Sequence, residues 1–157
     1  MTDKIRAHII KLLEWEDAHV DFDTAVEDLP AALRGRRVPG FAHSPWELLE
    51  HLRLAQRDLL DFCRDSGYKA PKWPDDYWPA SAAPPDDATW DRSVKAFVAD
   101  REELKALVSD ASLDLTAKIP HGTGQTYLRS ILLVADHNAY HVGQLVAVRQ
   151  QLGAWKS

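Results

Sequence analysis

The sequence lacks the features that mark several broad protein classes. Cys63 is its single cysteine, so no disulfide can form within the chain. No apolar run approaches the roughly 18–20 residues of a membrane-spanning helix, and the charged N-terminal residues do not resemble a signal peptide. The net charge is −5, and only Arg34, Arg36 and Arg37 form a dense basic patch, which argues against a nucleic-acid partner. We therefore expect a cytoplasmic protein that binds neither membrane nor nucleic acid.

The composition is that of an ordinary globular protein. Hydrophobic residues make up 45% and charged residues 27% of the 157 residues. This length suits one domain, residues 1–157, with a sizeable core. Apolar positions recur at helical spacing in four long stretches. We therefore predict an all-α fold, a four-helix bundle with an extra N-terminal helical segment.

The clearest helix start is Ser44-Pro45-Trp46-Glu47. The Ser44 side chain can accept from the amide of Glu47, Glu47 can reach back, and proline is harmless at the first helical position. This second main helix should run to about Arg64. Three further helix starts are predicted, each with two candidate capping residues: Thr2 or Asp3, Asp21 or Asp23, and Asp86 or Asp87. The last helix should lie between Thr126 and Leu152, with Gly153 as its terminator.

A long irregular stretch, residues 66–86, separates the second and third main helices. It contains five of the nine prolines and four aromatic residues. A loop this long in a small domain is usually functional or disordered, and the aromatic content argues against disorder. Two interpretations stay open: Trp73 or Trp78 forms a wall of a pocket beside a metal, or both residues only cover the core.

Two histidines of the last helix point in the same direction. His137 and His141 are one turn and about 40° apart on a helical wheel, along an apolar face. Asn138 replaces the glutamate of the zinc-protease pattern, so protease chemistry is not expected. His51 faces the apolar side of the second main helix, and three imidazoles from two facing helices could hold a divalent ion with open positions. The alternative is that all three are hydrogen-bonded core residues.

Other polar residues are candidates for the surroundings of this site. Gln144 falls about 20° from His137 on the wheel and is either a partner for a ligand ring or an exposed side chain. His121, in the connection before the last helix, points toward the site or toward water. Asp58 lies on the same side of its helix as His51 but two turns away, so it is not a convincing general base.

Three features resemble the DinB/YfiT superfamily of metal-binding four-helix bundles: the segment from Ser44 to His51, residues 136–145, and the helix order between them. The resemblance spans about His19 to Trp155, and the loop segment 72–79 resembles a branch with a Trp- and Pro-rich middle loop. By this resemblance His51, His137 and His141 match the metal triad of the family. The family's habit further suggests a homodimer.

The resemblance also implies reaction classes. Some relatives look like metal-dependent transferases that use low-molecular-weight thiols such as bacillithiol or mycothiol, and others resemble hydrolases. Our hypothesis is an enzyme that acts on a small molecule, with metal-bound water or thiol as the nucleophile and no catalytic side chain identified. Zinc and nickel both suit imidazole. The alternatives are a non-catalytic metal- or small-ligand-binding protein of the stress response, and a bundle whose histidines are only structural.

Overall fold

The computed structural model describes residues 2–14 and 18–155. Within these residues the protein is helical, with one isolated β-bridge between Lys118 and Thr126 and no strand. The predicted all-α fold is confirmed. The helices are α1 (Asp3–Leu12), α2 (Phe22–Val26), α3 (Pro45–Arg64), α4 (Asp87–Ser109) and α5 (Tyr127–Gln151), and short 3-10 turns lie at Ala31–Leu33 and Asp75–Tyr77.

The helix boundaries follow the predicted caps closely. At the start of α3, the Glu47 amide donates to Ser44 Oγ at 3.2 Å and the Ser44 amide donates to Glu47 Oε2 at 2.7 Å. This capping box satisfies two amides that the helix itself leaves free. The side chains of Asp21, Asp86 and Thr126 cap α2, α4 and α5, and Gly153 follows α5 with a φ of +67°.

Helix α3 lies at the centre of the bundle. It packs against both α4 and α5, whereas α1 packs on α4 and α2 on α5. Two apolar clusters form the core, because the apolar stripes of the amphipathic helices meet there. The first is built around Phe22, Leu49, Trp90, Phe97 and Leu145, and the second around Ile9, Leu60, Leu104, Leu115 and Ile131.

The two clusters meet along α5. Val134 belongs to the second cluster and Val142 to the first, so His137 and His141 lie at the junction between them. The predicted N-terminal helical segment consists of two separate helices, α1 and α2, and α2 ends at Val26. No helix in the described part of the chain is both long and apolar enough to cross a membrane.

Candidate metal centre

Helices α3 and α5 bring three histidines together. His51 projects from α3, and His137 and His141 project from α5 toward it. One nitrogen from each ring lies within 4.8 Å of the other two. The ring centroids are 4.5–4.8 Å apart, and Nε2 of His51 is 3.0 Å from Nε2 of His137. Residues that are 86 positions apart in sequence therefore share one small volume.

Hydrogen bonds fix the tautomers of two of these rings. His51 Nδ1 lies 2.9 Å from the main-chain oxygen of Tyr77, and His141 Nδ1 lies 2.7 Å from Gln144 Oε1. Both oxygens accept, so each Nδ1 carries the proton and each Nε2 keeps its lone pair. This is the arrangement in which outer partners usually hold metal-binding histidines. Gln144 is therefore a partner of a triad ring, the first of the two interpretations of its position.

Burial keeps the three imidazoles neutral. Burial is the largest cause that lowers the pKa of His51, and it lowers the pKa of His137 and of His141 to about 4. Nearby imidazoles lower these pKa values further, because one positive ring would disfavour another. At neutral pH the site therefore presents uncharged rings, the form of histidine that binds metals.

The donor set fits a divalent transition metal. Two imidazole nitrogens on one tetrahedral zinc lie about 3.3 Å apart, close to the 3.0 Å between His51 and His137. Among the residues that the structure describes, these three histidines are the group of His, Cys, Asp or Glu side chains that could hold a metal ion. The group contains only nitrogen donors, which suit zinc and nickel alike.

Comparison with known proteins agrees with this geometry. A family model described as the DinB superfamily matches residues 14–145, most of the chain. The chain belongs to the DinB superfamily. No curated protein and no solved structure gave a match.

In this DinB-superfamily chain, the loop between α3 and α4 covers one side of the triad. The Trp78 indole stacks on the His51 ring with centroids 3.9 Å apart and planes 1° apart, and it also stacks on His43 at 3.8 Å and 15°. Two rings this close to one indole must cover its opposite faces. Trp78 therefore lies against the triad, stacked on both His51 and His43.

His43 was not identified by sequence reasoning. It immediately precedes the capping box of α3, outside any helical periodicity that could indicate its direction. Its Nδ1 is buried and has no hydrogen-bond partner. A small cavity of about 20 Å³ is lined by His43 and Gln144, among other residues, which is room for about one water molecule.

Three other predicted pocket residues lie apart from the histidine rings. Trp73 is 67% exposed and contacts the ring of Tyr77, so of the two loop tryptophans it is Trp78 that stacks on a triad ring. His121 does not point toward the site, because its Nε2 pairs with the main-chain oxygen of Phe62 at 2.8 Å, near the end of α3. Asp58 accepts hydrogen bonds from two tyrosine hydroxyls of the loop.

Cys63 is a small buried side chain on α3. It is 4% exposed, and burial raises the pKa of its thiol to about 11. A thiol with so high a pKa is almost wholly protonated at neutral pH, so it is a poor nucleophile and a poor metal ligand.

Proposed function

We propose that the protein binds one divalent metal ion through His51, His137 and His141 and uses it to act on a small molecule, as a thiol S-transferase or a hydrolase. The observation that carries this proposal is the convergence of three neutral imidazoles, two of which, His51 and His141, have their outer nitrogens held by acceptors. Without a metal, Nε2 of His51 can only accept, so Nε2 of His137 donates to it at 3.0 Å, and a metal ion would replace that shared proton.

The metal ion would act as a Lewis acid and lower the pKa of a coordinated water or thiol toward neutral. The chain's own residues prepare the site for it. Tyr77 and Gln144 hold two rings in the tautomer that leaves Nε2 free. Trp78 shields one face of His51 from solvent, which strengthens electrostatic interactions at the site.

The position of the triad favours a small substrate that arrives from the surface. His137 is only half-buried, and the neighbouring Tyr140 is 64% exposed with its ring 4.9 Å from that of His141. Solvent can therefore approach the triad on the α5 side. The proposed co-substrate is a low-molecular-weight thiol for transfer to a small electrophile, or water for hydrolysis.

Metal content is the first test. Protein purified without a histidine tag should contain close to one zinc or nickel ion per chain by elemental analysis, and His51→Ala, His137→Ala and His141→Ala should each lose it. A matched control is His121→Ala, which removes an imidazole that pairs with a main-chain oxygen elsewhere. Equal and negligible metal in the parent and all variants would refute the proposal.

Turnover is the second test. The metal-loaded protein should accelerate the reaction of chlorodinitrobenzene or monochlorobimane with an added thiol, or the hydrolysis of a small ester or amide. The metal-free protein and His141→Ala should not. Stoichiometric metal with no turnover in either assay would favour the non-catalytic binding protein instead.

A further inference from the structure

We propose that Asp58 is a positioning residue for the metal centre, which acts through Tyr77 to hold His51 in its ligand tautomer. The inference deepens the proposed function and rests on it for the effect on metal affinity. Its structural part concerns the hydrogen bond of His51 and can be tested without metal.

The acceptor for His51 is a main-chain atom. Nδ1 of His51 lies 2.9 Å from the carbonyl oxygen of Tyr77, which ends the 3-10 turn Asp75–Tyr77 in the long loop. A main-chain carbonyl oxygen moves with the loop backbone that carries it. Its distance from His51 therefore depends on where the loop segment lies, and so on whatever fixes that segment to the bundle.

Asp58 supplies this attachment. It lies on α3 two turns after His51, and its two carboxylate oxygens are both used by the loop. Oδ2 accepts from the hydroxyl of Tyr77 at 2.7 Å, and Oδ1 accepts from the hydroxyl of Tyr68 at 2.6 Å. Hydrogen bonds of this length to a carboxylate are about twice as strong as neutral ones. One side chain thus ties both ends of the loop segment 68–77 to the helix that carries His51.

Both tyrosines remain donors at physiological pH. Burial and the neighbouring Asp58 carboxylate raise the pKa of each hydroxyl well above its ordinary value. The attachment is therefore maintained across the pH range in which an imidazole site binds metal.

The residue after Tyr77 adds a second restraint. Trp78 stacks on His51 with parallel planes, and His43 covers the far side of the indole. Two consecutive loop residues thus fix the same ring in different ways: the carbonyl of Tyr77 fixes its rotation, and the Trp78 indole fixes its plane. Loss of the Asp58 attachment should release both restraints together.

The experiment compares Asp58→Asn and Tyr77→Phe with the parent and with Tyr127→Phe. The last variant makes the same chemical change at the start of α5, away from the loop. Zinc affinity is measured by competition with a chelator, and the tautomer of His51 is measured in metal-free protein from its ring ¹⁵N shifts. Urea unfolding of each variant establishes that the bundle is intact.

In the parent we expect His51 to be protonated at Nδ1. Loss of a direct outer partner of a ligand costs about 10–100-fold in metal affinity. Because Asp58 acts one step further out, we expect at least about a threefold loss of zinc affinity in Asp58→Asn and Tyr77→Phe, together with a shift of His51 toward the Nε2 tautomer. Tyr127→Phe should match the parent in both measurements.

The two readouts separate this inference from the proposed function. If the parent binds neither zinc nor nickel, the proposed function fails, and the tautomer measurement still decides the role of Asp58. If the parent binds zinc but both loop variants keep the parental affinity and tautomer, the positioning role is overturned while the metal centre stands. A parent whose His51 carries its proton on Nε2 overturns it as well.

Discussion

Two polar groups join α3 to α5 inside the bundle, and they differ in how their atoms are matched. In one, Gln56 Nε2 donates to the main-chain oxygen of Phe97 at 2.7 Å and Asn138 Nδ2 donates to Gln56 Oε1 at 2.9 Å. Both amide nitrogens in this pair meet an acceptor, whereas Asn138 Oδ1 is buried without a partner. In the other, the histidine triad, the Nδ1 protons of His51 and His141 have acceptors, and Nε2 of His51 faces Nε2 of His137 at 3.0 Å.

The difference lies in what each group offers to a ligand. In the amide pair the direction is set by an oxygen of Phe97 that can only accept, and one buried oxygen, Asn138 Oδ1, is left without a partner. In the triad three ring nitrogens converge, and a bound cation would be their common partner. The same pair of helices therefore contains one polar contact that ties the helices together and one that offers a donor set for a metal ion.

The largest expected effect is on metal affinity. His141→Ala removes one of three proposed ligands, so we expect zinc affinity to fall by more than the roughly 100-fold upper range seen for outer-partner mutations. Chelator competition measures this change. Gln56→Leu, which alters the other polar group, is the control and should bind zinc within about threefold of the parent. Similar losses in the two variants would remove the distinction between the groups.

The next effect is on stability. Gln56→Leu leaves Asn138 Nδ2 buried without its acceptor and removes the second hydrogen bond of the Phe97 carbonyl, so the free energy of unfolding should fall by about 1–3 kcal/mol. Urea unfolding of the metal-free protein gives the value. His51→Leu, which removes the part-buried hydrogen bond to the Tyr77 carbonyl rather than the buried hydrogen bonds of the amide pair, should cost less. A larger loss for His51→Leu than for Gln56→Leu would contradict the comparison.

A pH dependence should also distinguish the triad. The folded-state pKa values of His137 and His141 are about 4, below the ordinary 6.5. Between these values the unfolded chain binds protons that the folded chain does not, so the stability of the metal-free protein should fall as the pH falls from 6.5 toward 4. Above pH 6.5 these two residues should add no slope.

Urea midpoints at pH 7.5, 6 and 5 measure this dependence. The double variant His137→Ala/His141→Ala lacks both titrating rings, so its midpoint should fall less steeply over the same interval. Parallel curves for parent and double variant would mean that the two rings are protonated equally in the folded and unfolded chains.

The smallest effect concerns Cys63, a buried residue near the end of α3. The thiol of Cys63 is buried and its pKa is raised to about 11, so we expect no reaction with a thiol reagent in the folded protein and one equivalent in denaturant. Cys63→Ala should retain the parental metal content. Rapid labelling of the native protein, or loss of metal in the variant, would bring this residue into the site.

Much of the bundle could be predicted because its signals are local. The Ser44–Glu47 capping box and the end near Arg64 bound α3 correctly, since a capping interaction involves residues three apart and depends little on the rest of the fold. The common direction of His137 and His141 follows equally from helical geometry. Asn138, next to His137 on the same helix, donates to Gln56 of α3, a contact between residues 82 positions apart.

The surroundings of the triad could be predicted only in part. Trp73 and Trp78 are five residues apart in a loop of similar composition throughout, yet one is largely exposed and the other stacks on His51. His43 and the carbonyl of Tyr77 gave no signal at all. A loop has no repeating period from which side-chain direction can be inferred. Every residue also carries a main-chain carbonyl, so the residue type does not reveal which carbonyl will accept a hydrogen bond.

The sequence by itself determined the helices, their caps and the faces on which the histidines lie, because these depend on contacts between residues a few positions apart. The tertiary structure decided that His51 meets a pair of residues 86 positions away and that the loop supplies its acceptor and its stacking partner. Such contacts form only when the apolar stripes of α3 and α5 pack together, and the burial that accompanies this packing is also what keeps the imidazoles neutral.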